Sequence, residues 1–122
     1  MQDWNVLLVD DEEEFVTTLA ERLRLRGIPV RVTTDGEEAL RMMEAEPFQV
    51  VVLDVLMPGL GGLEVLKRIK ADYSDVKVIL LTGQGSTWDG IQGMRMGVFD
   101  YLVKPLNIDD LIGKIREAVG EN

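Results

Sequence analysis

The chain has 122 residues, of which 46% are hydrophobic and 29% charged, and its formal net charge is −9. This length suits one domain, residues 1–122, and the absence of an apolar run near ~20 residues predicts a soluble, cytoplasmic protein without a membrane span. Because the chain has no cysteine and no histidine, thiolate chemistry and imidazole ligands or bases are excluded, and the acidic charge argues against direct binding to nucleic acid.

Apolar runs of strand length alternate five times with amphipathic segments of helical length. In chain order we predict strand Asn5–Val9, helix Glu12–Arg26, strand Val30–Thr33, helix Gly36–Ala45, strand Gln49–Asp54, helix Gly62–Ala71, strand Val76–Leu81, helix Ser86–Met96, strand Val98–Val103 and helix Ile108–Val119. The first helix is expected to bury Phe15, Leu19 and Leu23. Strict alternation predicts a parallel sheet with right-handed crossovers and helices on both faces.

The composition of the strands predicts their order in the sheet. The runs at 6–9, 50–53 and 78–81 are entirely apolar, as in strands that are covered on both faces. The runs at 29–33 and 98–101 contain Arg31 and Asp100, which suits the sheet edges. We therefore expect an α/β fold, a flavodoxin-like doubly wound sheet of order 2-1-3-4-5, with its site beyond the strand ends where the order reverses.

Polar residues follow four of these strands at their carboxyl ends, namely Asp10 and Asp11, Asp54, Thr82 and Lys104. Each has a structural explanation when taken alone. Asp11 suits a cap of the first helix, Asp54 suits a turn, and Thr82 and Lys104 suit an ordinary strand and a surface turn. Their joint placement at one sheet edge favours a site instead.

The residue types at this edge indicate phosphoryl chemistry with a hard cation. Three crowded carboxylates repel one another unless a cation neutralises them, and all-oxygen ligands suit Mg²⁺. A lysine ammonium and a threonine hydroxyl can donate to phosphoryl oxygens. Phosphoryl transfer needs positioning and charge neutralisation, which these groups provide without histidine. Because Asp54 lies on the middle strand of the group, we expect it to be the nucleophile.

Four motifs occur in order along the chain: Val9-Asp10-Asp11, Leu53-Asp54-Val55-Leu56-Met57-Pro58-Gly59, Leu81-Thr82-Gly83 and Phe99-Asp100-Tyr101-Leu102-Val103-Lys104-Pro105. With these motifs the chain resembles a response-regulator receiver domain of two-component signalling over essentially its whole length. The resemblance implies a switch in which Asp54 accepts a phosphoryl group from a sensor histidine kinase or a phosphotransfer protein. It also implies a protein that catalyses only its own phosphorylation and dephosphorylation, and is not otherwise an enzyme.

The resemblance further assigns roles to individual residues. It implies that Mg²⁺ is held by Asp10, Asp11, Asp54 and the backbone carbonyl of Leu56. Thr82 and Lys104 are then expected to bind the phosphoryl oxygens, and Tyr101 to move inward with Thr82. Leu56 and Gln84 are expected to tune the lifetime of the phosphoryl group, and the Lys104–Pro105 bond is expected to be cis.

The fourth helix is expected to be the least stable helix and to report phosphorylation. Gly90 and Gly93 lie inside it and each costs roughly 1 kcal/mol relative to Ala. Its face with the fifth strand is the expected contact for an output domain, a downstream protein or a homodimer formed on phosphorylation, and Trp88 either anchors that contact or packs on the sheet. The sequence of the turn at 82–85 is similar to that of the same turn in receivers that precede ATPase-type transcriptional activators.

Two alternatives use related folds. An aspartate-nucleophile phosphohydrolase pairs its nucleophile with a second Asp two residues later, where this chain has Leu56. A flavin-binding module of the flavodoxin type needs a Gly/Ser/Thr-rich phosphate loop after the first strand, where this chain has five successive acids, residues 10–14. Turnover of a small phosphoester and the absorbance spectrum of the purified protein distinguish these alternatives.

Overall fold

A computed structural model describes residues 4–55, 61–83 and 87–120, with the side chains of residues 87–90 excepted. The strands are β1 Val6–Val9, β2 Val30–Thr33, β3 Val50–Asp54, β4 Lys77–Thr82 and β5 Asp100–Val103. The helices are α1 Glu13–Leu25, α2 Gly36–Ala45, α3 Gly62–Asp72, α4 Thr87–Arg95 and α5 Ile108–Ala118. Within these described ranges, no helix is long and apolar enough to cross a bilayer.

The five strands form one parallel sheet in the order β2-β1-β3-β4-β5, which confirms the predicted topology. Val9 of β1 pairs with Leu53 of β3, so the residues that follow, Asp10 and Asp54, leave the sheet side by side. On the other side of β3, Asp54 pairs with Leu81 of β4. The register therefore brings distant segments of the sequence to one carboxyl edge.

The sheet has an apolar layer on each face. Because side chains alternate along a strand, Val6 and Leu8 contribute to the core under α1 and α5, whereas Leu7 and Val9 contribute to the core under α2 and α3. The central strands β1 and β3 are buried along their whole length. This two-sided burial fixes the positions of the strand ends that carry the polar residues.

The start of α1 differs from the capping arrangement that Asp11 allows. Glu12 is the residue at the cap position, and no side chain caps this helix. Instead the backbone N–H of Glu12 donates to Oδ1 of Asp10 at 2.9 Å. The alternative that Asp11 caps the first helix is therefore wrong, and the chain turns into α1 around the Asp10 carboxylate.

Two glycines permit close approaches that a larger residue would prevent. A Cβ at Gly62, the first residue of α3, would overlap the backbone carbonyl oxygen of Asp54 and lie 2.6 Å from the Cα of Val55. A Cβ at Gly93 in α4 would overlap a methyl group of Leu80, which is fully buried in β4. Gly93 thus lets α4 pack closely on Leu80, although the sequence presents it only as a cost to helix stability.

Candidate functional site

The predicted site residues meet at the carboxyl edge of the sheet. Asp10 follows β1, Asp54 ends β3, Thr82 ends β4 and Lys104 follows β5. Asp10, Asp54 and Thr82 are only 1%, 5% and 1% exposed. Because a buried polar group is costly unless it is paired, each of them needs a partner, either in the protein or in a bound ligand.

The ammonium of Lys104 is the positive charge among these acidic groups. Its Nζ lies 2.7 Å from Oδ2 of Asp10, 2.6 Å from Oε1 of Glu12 and 3.6 Å from Oδ2 of Asp54. Partial burial opposes the charge on Lys104, but the hydrogen bonds to Asp10 and Glu12 and the nearby Asp54 raise its pKa above the ordinary range. The lysine is therefore charged at physiological pH, and one positive charge faces three carboxylates.

The chain after β5 directs Lys104 toward this cluster. The backbone N–H of Lys104 donates to the carbonyl of Thr82 at 2.8 Å, which extends the pairing of β5 with β4 by one step. The following peptide bond, Lys104–Pro105, is cis. The lysine side chain is only 18% exposed as a result of its position over the strand ends.

Three carboxylates at this edge offer ligands for a hard cation. One oxygen each from Asp10, Glu12 and Asp54 lie within 4.8 Å of one another. Carboxylate oxygens are the donors that suit Mg²⁺, which needs only one or two of them together with waters. The donor set therefore fits the ion that the sequence predicts.

The cluster differs in one member from the predicted ligand set. Asp10 and Asp54 belong to it, but Asp11 is exposed and is not one of the three, and Glu12 is present instead. Asp11 does line the open cavity of about 300 Å³ beside Asp54, together with Lys104 and Gly83. The predicted ligand at Leu56 lies outside the described residues.

The hydroxyl of Thr82 is the clearest indication of an external ligand. It is buried, and it has no hydrogen-bond partner among the described residues. A buried hydroxyl without a partner costs about 1–3 kcal/mol, so an oxygen-rich ligand that accepts from it would recover this energy. A phosphoryl group on Asp54 has such oxygens, and the residues at this edge therefore fit it.

The remaining predicted residues are placed in part. Tyr101 is half-buried on β5, packs against the core under α2 and α3, and pairs with Leu80 of β4. Gln84 and the side chain of Trp88 lie outside the described residues, so the expectations for them remain predictions.

Two residues at the start of α1 contact the lysine and are absent from the predicted site. Glu12 binds its ammonium, and the ring centroid of Phe15 lies 4.5 Å from Nζ. Glu12 could not be distinguished from its neighbours in a run of five acidic residues, and Phe15 has the spacing of a core residue. A charged and an aromatic side chain three residues apart, at the end of the helix that faces the site, were the only signal in the sequence.

Comparison with known proteins gives a consistent result. The family profile of the response regulator receiver domain matches residues 6–116. The chain is 38% identical over 122 residues to the uncharacterised transcriptional regulatory protein YkoG of Bacillus subtilis, covering 100% of this chain and 54% of that protein. It is 39% identical over 111 residues to the transcriptional regulatory protein CpxR of Escherichia coli, covering 91% and 47%. The chain thus spans about half the length of these curated relatives.

Solved structures show the same similarity. The receiver domain of the Francisella response regulator 1452 superposes with a TM-score of 0.88 at 33% identity, covering 95% of this chain and 96% of that one. The receiver domain of NtrX from Brucella abortus superposes with a TM-score of 0.91 at 28% identity, covering 96% and 99%.

Proposed function

The chain belongs to the receiver domain family of two-component response regulators, and we propose that the carboxylate of Asp54 accepts a phosphoryl group from a donor protein. The donor is a phosphohistidine of a sensor histidine kinase or of a phosphotransfer protein. An oxygen of Asp54 attacks the phosphorus, the bond between phosphorus and the imidazole nitrogen breaks, and an acyl phosphate forms. The other ring nitrogen of the phosphohistidine carries a proton, so the bonding electrons stay on the ring and the imidazole leaves as the neutral base on the donor protein.

One observation carries this assignment, namely how Lys104 divides its contacts among the three carboxylates. Asp10 is engaged through both oxygens, by Lys104 at 2.7 Å and by a backbone N–H at 2.9 Å. Glu12 is largely exposed. Asp54 is buried, faces the open cavity, and lies at a longer distance of 3.6 Å from the ammonium. This supports Asp54 as the carboxylate that can gain a phosphoryl group beside a positive charge.

Lys104 and Thr82 are proposed to bind the phosphoryl oxygens once they have been transferred. The ammonium neutralises part of the added charge, and the Thr82 hydroxyl donates a hydrogen bond for which it has no other described acceptor. Thr82 is proposed to move toward the phosphoryl group when it forms this hydrogen bond. Tyr101, on the neighbouring strand, is proposed to move inward into the space that Thr82 leaves.

Mg²⁺ is proposed to be held by Asp10, Asp11, Asp54 and the backbone carbonyl of Leu56. When bound, the ion supplies positive charge that offsets the carboxylates and the incoming phosphoryl oxygens. Asp11 and Glu12 both line the same cavity as Asp54. Asp11 is preferred as the ligand because the Glu12 carboxylate is already engaged by Lys104 at 2.6 Å. A rise in melting temperature with Mg²⁺ that is lost in Asp11→Ala and kept in Glu12→Gln supports this set, and the reverse pattern assigns Glu12.

Acetyl phosphate with Mg²⁺ tests the acceptor directly. Intact mass should increase by one phosphoryl group in the wild type and in Asp75→Asn, which removes an exposed acid far along the chain from the site. Asp54→Ala should not gain this mass. Equal labelling of Asp54→Ala and the wild type would contradict the assignment.

The lifetime of the phosphoryl group is proposed to depend on Gln84 and Leu56. The amide of Gln84 can orient a water for attack on phosphorus, whereas Leu56 offers no hydrogen bond. Decay of the labelled protein measures this. Unchanged half-lives in both Gln84→Ala and Leu56→Asn would remove these residues from the mechanism.

The output surface is proposed to be the face formed by α4 and β5. Three large apolar side chains are exposed there, Ile91, Met94 and Val103, at 43%, 48% and 44%. An output domain, a downstream protein or a second phosphorylated copy can cover them. Because the curated relatives are transcriptional regulators, we propose that this output acts on transcription, and that the chain itself turns over no other substrate. The family membership supports neither the phosphohydrolase nor the flavin-binding alternative.

A further inference from the structure

Two side chains at the N-terminus of α1 contact the lysine of the site. Glu12 Oε1 lies 2.6 Å from Lys104 Nζ, and the ring centroid of Phe15 lies 4.5 Å from the same atom. Residues three apart lie on the same side of a helix, so both side chains reach the ammonium from one direction. Asp10 and Asp54 approach it from the sheet.

Glu12 competes with the acceptor for the ammonium. A lysine ammonium has three N–H donors, and its two closest partners are Asp10 and Glu12 rather than Asp54. A phosphoryl group on Asp54 can take the third donor, but its added negative charge also attracts the ammonium away from the two carboxylates that it contacts. Loss of its ion pair would leave Asp10 as an unpaired buried charge, which is strongly destabilising. The Glu12 side chain is 63% exposed, so water can solvate it instead. Glu12 is therefore the partner that loses its contact with the ammonium.

Phe15 acts on the same ammonium in a different way. A cation within about 6 Å of a ring centroid is attracted to the face of the ring, and this attraction leaves the hydrogen-bond donors of the lysine for other groups. The ring is half-buried and packs against the core under α1 and α5, so its position is set by the fold. It keeps the ammonium at the strand ends whether or not Glu12 binds it.

We propose that Glu12 and Phe15 are positioning residues for Lys104, with opposite effects on the phosphorylated state. Glu12 retains the ammonium in the unphosphorylated protein and so opposes phosphoryl binding. Phe15 holds the ammonium near Asp54 and so favours it. This inference rests on the proposed function of Asp54, but the contacts on which it depends exist before any phosphoryl group arrives.

Two measurements on the whole chain test the proposal. The first is the NMR shift of the Lys104 ε-methylene protons, which a ring face moves upfield. The second is the affinity at saturating Mg²⁺ for beryllium trifluoride, a tetrahedral phosphoryl mimic that binds a carboxylate oxygen without turnover. The variants are Glu12→Gln, Phe15→Leu and Phe15→Tyr, with Glu13→Gln as the matched control because Glu13 carries the same charge on the same exposed turn.

The expected effects differ in sign between the two residues. Glu12→Gln should bind the mimic roughly two- to five-fold tighter than Glu13→Gln, the effect of removing one exposed ion pair. Phe15→Leu should lose the upfield shift of Lys104 and bind roughly two- to five-fold more weakly, the size of an exposed cation–π contact. Phe15→Tyr keeps the ring and should restore both the shift and the affinity.

Each result decides a separate question. Equal affinities of Glu12→Gln and Glu13→Gln overturn the competition, and a Lys104 signal that is the same in Phe15→Leu and wild type overturns the role of Phe15. If Phe15→Tyr does not restore the affinity, Phe15 contributes only to core packing, and its role in positioning Lys104 is also overturned. If no variant and no wild-type protein bound the mimic, the proposed function of Asp54 would fail, and the Lys104 shift would still report on Phe15.

Discussion

Replacing Asp54 with Asn removes one charge from a cluster of three carboxylates and one ammonium. Asp54 and Asp10 have carboxylate oxygens within 4.8 Å of each other, so at an effective dielectric constant of about 20 their repulsion is at least about 3.5 kcal/mol. Attraction of Asp54 to Lys104 at 3.6 Å is about 4.6 kcal/mol. Repulsion from Glu12 adds a smaller amount, because that side chain is exposed and screened. These contributions nearly cancel, so the desolvation of the buried carboxylate decides the sign.

We therefore expect Asp54→Asn to be more stable than the wild type without Mg²⁺, by about 1–3 kcal/mol in the free energy of unfolding. Mg²⁺ at ~100 times its dissociation constant should add about 2.7 kcal/mol to the wild type. The variant should gain less, because it lacks one of the proposed Mg²⁺ ligands. The difference between the two proteins should accordingly shrink or reverse when the ion is added.

Urea unfolding in EDTA and in saturating Mg²⁺ measures both quantities, and the buried Trp4 provides the fluorescence signal. Asp75→Asn is the matched control, since the same change at an exposed position should stay within about 0.5 kcal/mol of the wild type. A variant that is less stable than the wild type in EDTA would show that the ion pair with Lys104 outweighs desolvation and repulsion. An equal gain from Mg²⁺ in both proteins would remove Asp54 from the metal site.

Four further substitutions test how the structure around the site is supported. Gly62→Ala should destabilise the protein by about 3 kcal/mol or more in urea unfolding, because the new methyl overlaps backbone at the end of β3. Gly93→Ala should lower the free energy of unfolding by about 1–3 kcal/mol, although alanine favours helices. Gly113→Ala is the control and should stabilise α5, because a Cβ there would have nothing within 4 Å. A gain in stability at both positions would contradict the packing argument. Partial burial opposes the ionised form of Asp100, yet the hydrogen bond from Lys114 at 2.8 Å holds the pKa of that carboxyl below its usual 3.8. The stability that Asp100→Asn removes, at most ~1 kcal/mol for a partly exposed pair, should be present above about pH 4 and disappear as the pH falls through the lowered pKa, and a pH-independent difference would exclude the pair as its source.

The fold was predictable because the composition of each strand and the alternation of strands and helices indicate it independently. Entirely apolar runs identify covered strands, charged residues such as Arg31 identify edges, and the strict alternation fixes a parallel sheet. Every described helix and strand agrees with its predicted range to within two residues. The strand-end residues Asp54, Thr82 and Lys104 follow from the same argument, since parallel strands share one carboxyl edge.

The details of the site were less predictable because they depend on side-chain direction over one or two residues. Asp11 and Glu12 are adjacent acids, and only the turn into α1 decides which of them reaches Lys104. Phe15 has the spacing of a core residue but lies half-buried against the ammonium. Gly93 reads as a helix weakness until its contact with the β4 core is known. Such choices are made by tertiary packing, which no local pattern encodes.

The strand order also links the charge balance of the site to the synthesis of the chain. Glu12 and Lys104, which meet at the site, are 92 positions apart in the sequence, and β5 joins the sheet at its edge, against β4 alone. Since the N-terminal part of a protein leaves the ribosome first, Asp54 emerges well before the lysine that balances its charge. A nascent or truncated chain that ends before β5 lacks that ammonium, so Asp54 has its counter-ion only once the sheet is complete.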